Sequence, residues 1–131
     1  MIPFRLTIQP GIPIHEQVVY AATKAVVSGQ LRPGDAFPSV RALSKALKIN
    51  PNTAHKVIGQ LIDAGLLEVS PGIGTVVAQP PKSNASERGN LLNHQLEQLA
   101  VEAAKLGLTL EDLQRAIESH WKKINAGGGT R

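Results

Sequence analysis

Ser39 and Asn50 are two helix starts with one short helix between them, and that spacing restricts the fold more than any other feature of this chain. Ser39 follows Pro38, and its hydroxyl can accept a hydrogen bond from the backbone of the next turn, as an N-cap does. Asn50 precedes Pro51. Asparagine caps well, and proline fits the first helical turn because an N–H there has no helical partner to lose. After Ser39, Val40, Leu43, Ala46 and Leu47 fall at helical spacing and predict an inward face. The helix after Asn50 is expected to run to about Ala64, where Gly65 supplies the left-handed residue that ends it. The connector, Lys48-Ile49-Asn50, is only three residues long, so the two helices form a helix-turn-helix.

The flanks fit the same architecture. Phe4, Leu6 and Ile8 alternate with Arg5 and Thr7, a period of two that predicts a short strand ended by Pro10-Gly11. Ile14, Val18, Ala21, Ala22, Ala25 and Val26 recur at helical spacing, so a first helix is expected over residues 13–29, with Gly29 as its stop. Residues 31–35 read as a turn. Residues 66–70 and 75–78 predict two strands around Pro71-Gly72-Ile73-Gly74, whose glycines permit a tight turn. Residues 79–89, with Pro80, Pro81, Ser83, Asn84 and Ser86, read as a linker. Leu92, Leu96, Leu99, Ala103 and Leu106 then stripe a helix that Gly107 breaks. Thr109, with Asp112 three residues later, starts another, continued by Leu113, Ala116, Ile117, His120 and Ile124.

The expected fold is therefore mainly α with a small β wing: a winged helix-turn-helix followed by a two-helix dimerisation hairpin. The expected domains are residues 1–79 for the winged unit (helix-turn-helix 40–59, wing 66–78), 80–90 for a linker, 91–126 for the helical hairpin and 127–131 for a flexible tail.

Composition narrows what such a chain can do. At 131 residues it has room for one core-forming domain and an appendage, not for a typical two-domain enzyme. Aromatics make up 3%, so Leu, Ile, Val and Ala must build the core. The absence of cysteine excludes disulfides, thiol catalysis and Cys-ligated zinc. No apolar run approaches the roughly 20 residues of a membrane span, and residues 1–10 lack the pattern of a secretory signal, so a cytoplasmic protein with no membrane partner is expected. There is no phosphate-binding glycine loop, no nucleophile elbow, no HExxH and no paired-carboxylate context, and Glu111-Asp112 fits the preference of helix N-termini for negative charge. His15, His94 and His120 are scattered; only the last two could meet across the C-terminal hairpin, and no acid pattern accompanies them. Neither enzyme activity, nor a metal, nor a cofactor is expected.

The formal net charge is +4, and its distribution says more than its size. From Ala36 to Ile62 there is no acidic residue, while Arg41, Lys45, Lys48 and Lys56 all lie there. From Lys82 onward seven basic residues face six acidic ones, so the excess belongs to the first part of the chain. On a wheel of the Pro51 helix, Ala54, Val57, Ile58, Leu61 and Ala64 fall on one side. Asn52, Lys56, Gly59 and Asp63 fall opposite, with Gln60 beside them and Thr53 and His55 on the flanks. The outward residues at the helix start are types that donate to phosphates or pair with base edges. In a helix-turn-helix that is the end which leads into the major groove. Lys45 and Lys48 read as a solvated face that attracts DNA at long range, Trp121 as packing at a dimer contact.

The stretches Phe37-Pro38-Ser39-Val40-Arg41-Ala42-Leu43-Ser44, Ile49-Asn50-Pro51-Asn52-Thr53-Ala54-His55-Lys56, Leu61-Ile62-Asp63-Ala64-Gly65-Leu66-Leu67 and Gly72-Ile73-Gly74-Thr75-Val76-Val77 resemble the GntR family of bacterial regulators. Pro13-Ile14-His15-Glu16-Gln17 and the short helical C-terminus are similar to its YtrA subfamily. The resemblance implies a dimeric, sequence-specific DNA-binding transcriptional regulator, a repressor acting on a two-fold-symmetric operator. It implies DNA contacts for Arg41, for Asn52, Thr53 and His55, and for Gly72 at the wing tip. With Ser39, Asn50, Pro51 and Lys56 these make up the expected DNA-binding residues. His55 stands where some members carry arginine, Ile58 where tyrosine is frequent, and Val76 where phenylalanine is common. The expected partners are double-stranded DNA, a second copy through the C-terminal helices, and an unidentified small-molecule effector. Two other readings stay open: a ligand-responsive sensor with its pocket at the subunit interface, and a winged helix that binds RNA or protein.

Overall fold

The structure, a computed structural model, describes residues 2–79 and 84–126. These fall into two compact units, carried mainly by residues 2–79 and 84–123.

In the first unit, α1 (Ile14–Val27), α2 (Val40–Leu47) and α3 (Pro51–Asp63) precede a two-stranded antiparallel hairpin, β1 (Leu67–Ser70) and β2 (Gly74–Val77). α1 and α2 both pack against α3. Val18 and Ala22 of α1, Leu43 of α2, Val57 and Leu61 of α3, and Leu67 and Val77 of the hairpin meet in one buried cluster. The residues at helical spacing in α3 are the ones removed from water, with one exception: Ala64 is exposed, because the helix ends at Asp63 and the chain turns away. Ala46 of α2 is exposed as well, so that helix buries a narrower stripe than its sequence predicts.

The helix ends follow the sequence closely. Ser39 Oγ accepts from the Ala42 N–H at 3.1 Å, and Asn50 Oδ1 accepts from the Asn52 N–H at 2.7 Å. At the far end of α3, Gly65 sits at φ 80°. The N–H of Gly65 donates to the Ile62 carbonyl and that of Leu66 to the Leu61 carbonyl, which satisfies carbonyls the helix leaves open.

Two features of this unit depart from the sequence expectation. Residues 4–7 keep their alternation, with Phe4 buried, Leu6 half-buried and Arg5 and Thr7 exposed, but Ile8 is exposed as well and the segment forms no strand. The segment is an extended arm pinned at both ends. Phe4 stacks on Phe37 with ring centroids 5.9 Å apart. Gln9 is held by the Gln17 side chain, which accepts from the Gln9 N–H at 2.7 Å and donates to the Gln9 carbonyl at 2.8 Å and to that of Ile12. Second, residues 34–37, of which Gly34 and Asp35 belong to the expected turn 31–35, pair with the free side of β2. The Phe37 N–H donates to the Thr75 carbonyl, the Val77 N–H to Asp35 and the Gly34 N–H to Val77, around an antiparallel bridge of Ala36 with Val76.

In the second unit, α4 (Ala85–Gly89), a π-helical segment (Asn90–Gln95) and α5 (Leu96–Lys105) form one unbroken helical path. The expected linker is therefore helical from Ala85 onward. Its start is a capping box: Asn84 Oδ1 accepts from the Glu87 N–H at 2.7 Å, and Glu87 Oε1 accepts from the Asn84 N–H at 3.0 Å. Residues 80–83 of that linker, and the expected tail 127–131, lie outside the described residues. Gly107, at φ 79°, ends α5, and α6 (Leu110–Ala126) follows. Thr109 and Asp112 cap α6 reciprocally, at 3.1 Å and 2.9 Å. The Thr109 donors, backbone first and then hydroxyl, with Arg115 behind them, hold the Asp112 carboxyl below its ordinary value. Leu92, Leu96, Leu99, Leu106, Leu110 and Trp121 of this unit are exposed. Among the described residues no helix is long and apolar enough to cross a membrane.

Candidate nucleic-acid interface

The connector between α2 and α3 sets where the site residues point. Lys48 takes the left-handed conformation, φ 55° and ψ 47°, a position that usually falls to glycine. Its neighbours lock the turn: the Ile49 N–H donates to the Ser44 carbonyl at 3.1 Å, and Ser44 Oγ donates to the Ile49 carbonyl at 2.6 Å. The sequence gives no sign of this, since lysine is not a residue that seeks positive φ.

α3 leaves this turn with its polar edge outward. Asn52, His55 and Lys56 are exposed and Thr53 half-buried, while Ala54, Val57 and Ile58 between them are buried. Among the described residues the side chains of Arg41, Asn52, Thr53, His55 and Lys56 form no hydrogen bond or ion pair. Their donors and acceptors are committed to nothing within the unit. Ser39 and Asn50 differ: each spends a side-chain oxygen on its helix cap, so their first task is to hold α2 and α3 in place. Pro51 stands at the first position of α3, where it has no N–H to offer. The Asn52 N–H is taken by Asn50, which leaves the Thr53 N–H as the open backbone donor of that first turn. It lies at the positive end of the helix dipole, where a phosphate oxygen is favoured.

The charges around this edge are equally uncommitted. Arg41, Lys45, Lys48 and Lys56 are all exposed. The ion pairs among the described residues, Arg115 with Asp112 and Lys122 with Glu118, both lie on α6. The helix-turn-helix thus carries a basic surface that its own carboxylates do not neutralise, and Asp63 sits at the far end of α3.

Gly72 occupies the wing turn at φ 78°, where a side chain would be strained. The Ile73 N–H donates to the Ser70 carbonyl, and Pro71 has no N–H, so the Gly72 N–H is the wing tip's open donor. Val69 and Ile73 stand bare beside it, 67% and 72% exposed, and the sequence did not single them out. Gly59 is half-exposed on the outward edge of α3, and a Cβ built there meets nothing within 4 Å. Gly59→Ala should therefore raise the stability of this unit by about 1 kcal/mol, because alanine loses less freedom in a helix. Chemical denaturation followed by circular dichroism would read the change, and a loss of stability would mean the site is tighter than it looks.

The arrangement can bind a polyanion and read it: free cations and helix-end donors for phosphates, amide, imidazole and ammonium groups for base edges. Residues 14–77 match the family described as bacterial regulatory proteins, gntR family. The chain is similar to the HTH-type transcriptional repressor YtrA of Bacillus subtilis (strain 168), 32% identical over 88% of this chain and 89% of that one. It is also similar to the HTH-type transcriptional regulator YhcF of the same organism, at 30% identity over 85% and 92%. Among solved structures it resembles the transcriptional antiterminator from Listeria monocytogenes EGD-e, with a TM-score of 0.83, 25% identity and 97% of both chains covered.

Proposed function

This chain belongs to the GntR family of bacterial regulatory proteins, a DNA-binding transcriptional regulator, and from that premise we propose that it is a repressor that binds a two-fold-symmetric operator as a homodimer. The observation that carries the proposal is the outward edge of α3: exposed polar side chains without internal partners, set in a basic surface that carries no acid from Ala36 to Ile62.

Each group then has a role. Ser39, Asn50 and Pro51 fix the two helices. Arg41 and Lys56, with the Thr53 and Gly72 N–H groups, take phosphates and set the register. Asn52, Thr53 and His55 face base edges, asparagine being suited to adenine. The C-terminal helices bring two such faces together. Support for pairing comes from Leu92, Leu96, Leu99 and Leu106, which stay exposed along the helical path from Ala85 and are costly to leave in water. Two recognition helices so joined would read half-sites about one helical turn apart.

Selection of bound duplexes from a random pool, followed by titration of the enriched site, tests the reading. Asn52→Ala should cost about 1–3 kcal/mol of discrimination at one base position in each half-site. Light scattering on the same protein should give twice the chain mass. A pool that yields no inverted repeat, or a clean monomer at working concentration, overturns the symmetric mode. A preference for structured RNA over duplex DNA would favour the RNA-binding reading instead.

A further inference from the structure

A half-open groove of about 570 Å³ runs between the N-terminal arm and α1. That is within the range of small-molecule sites, roughly 300–1,000 Å³. Arg5 and Leu6 line it from the arm, and Glu16, Gln17, Tyr20 and Lys24 from one face of α1. Its walls combine apolar surface with charge. Tyr20 is 69% exposed, a large ring left bare beside the groove. Arg5 and Lys24 have no ion-pair partner among the described residues, and neither does Glu16, so the lining keeps one net positive charge. The arm beside the groove also forms no bonds of its own along its middle. Between its anchors at Phe4 and Gln9, the backbone groups of residues 5–8 make no hydrogen bond among the described residues. A segment held at both ends and unpaired in the middle keeps its backbone donors and acceptors available to a bound molecule.

We propose that this groove is an effector site for a small organic carboxylate with an aromatic or aliphatic body. Arg5 and Lys24 hold the carboxylate, while Tyr20 and Leu6 cover the body. The site rests on the regulatory reading above and gives it an address within one chain rather than between subunits. Its walls lead to the proposed DNA-binding helices by two routes. Glu16 and Tyr20 also line a shallow groove with Gln60, which stands on α3. The arm that forms one wall of the groove ends in Phe4, stacked on Phe37, two residues before the Ser39 cap of α2. An occupant that shifts the arm therefore bears on the entry to α2, and one that moves Tyr20 bears on α3.

The test uses the full chain and two probes, phenylacetate and its neutral amide. Phenylacetate should give saturable shifts of the backbone amides of Leu6, Thr7 and Tyr20 in two-dimensional NMR, without DNA present. The amide, which lacks the charge, should bind about tenfold more weakly, and so should phenylacetate to the variant Arg5→Gln, Lys24→Gln. Both positions are exposed and unpaired, so that variant should keep the wild-type melting temperature. Phenylacetate should also change the affinity for the selected duplex, and the double variant should lose that response. Absence of saturable shifts at these amides, or equal binding of acid and amide, overturns the site while leaving DNA binding intact. Binding of phenylacetate by a chain that fails to bind any duplex supports the site and overturns the DNA reading instead.

Discussion

Raising monovalent salt from about 50 to about 200 mM should weaken binding to the selected operator by roughly four orders of magnitude, and neutralising the helix-turn-helix cations should flatten that dependence. Arg41, Lys45, Lys48 and Lys56 are exposed and carry no internal counter-charge, so nothing in the fold competes with phosphate for them. The proposed dimer presents each of them twice. Every phosphate contact releases condensed counterions and contributes about −0.9 to the slope of log affinity against log salt. Arg41→Gln alone should reduce the slope by one to two such increments and weaken all sequences alike, because a phosphate contact positions without specifying. Asn52→Ala should leave the slope unchanged and alter base preference. Fluorescence anisotropy across a salt series separates the two. A salt-independent affinity would remove these cations from the interface.

Leu61→Ala should destabilise the first unit by about 2–5 kcal/mol. Leu61 is 1% exposed in the cluster where α1, α3 and the hairpin meet. Its carbonyl also accepts from the Leu66 N–H in the turn that leads into β1. Truncation there opens a cavity behind the exposed edge of α3, and the loss is a large share of the roughly 5–15 kcal/mol that holds a domain together. The measurement needs a probe inside this unit. Trp121 lies in α6, so its fluorescence reports elsewhere. Amide exchange at Val57 and Ile58 reads the right region. A change below about 1 kcal/mol would mean that the site collapses around the smaller side chain.

The parts of this fold that were legible in the sequence are those decided within a turn or two. Ser39, Asn50 and Thr109 cap the helices at which they were read, and Gly65 and Gly72 adopt the positive φ that their turns demand. The apolar spacing of α3 picked out Ala54, Val57, Ile58 and Leu61, and all four are buried. What escaped depends on distant partners or on compositional habit. The alternation holds for Phe4 and Leu6 but fails at Ile8, which is exposed; a strand also needs a neighbour, and Gln17 and Phe37 hold the arm instead. The pairing of residues 34–37 with β2 joins segments some forty positions apart, which no local pattern records. Pro80, Pro81 and Ser83 made the following residues read as linker, although Asn84 and Glu87 stand at capping-box spacing and do start a helix. The outward polar residues of α3 were visible because a helix wheel sorts them; the groove beside the arm was not, because its walls meet only in three dimensions.

The added pairing on β2 has a consequence for association. A two-stranded ribbon projecting alone would be a marginal structure in water, to be ordered when its target arrives. Here residues 34–37 bond to β2 on one side while β1 bonds to it on the other, and Ser39, two residues further on, caps α2. The wing is thus tied to the helix-turn-helix through a short stretch of chain, so its conformational entropy is surrendered during folding. Binding then has less disorder to remove from that element, and more of its contact energy survives as affinity. The same tie couples the wing to the start of α2, so a rotation of α2 would carry the tip with it and the two contacts proposed for a duplex would be released in concert.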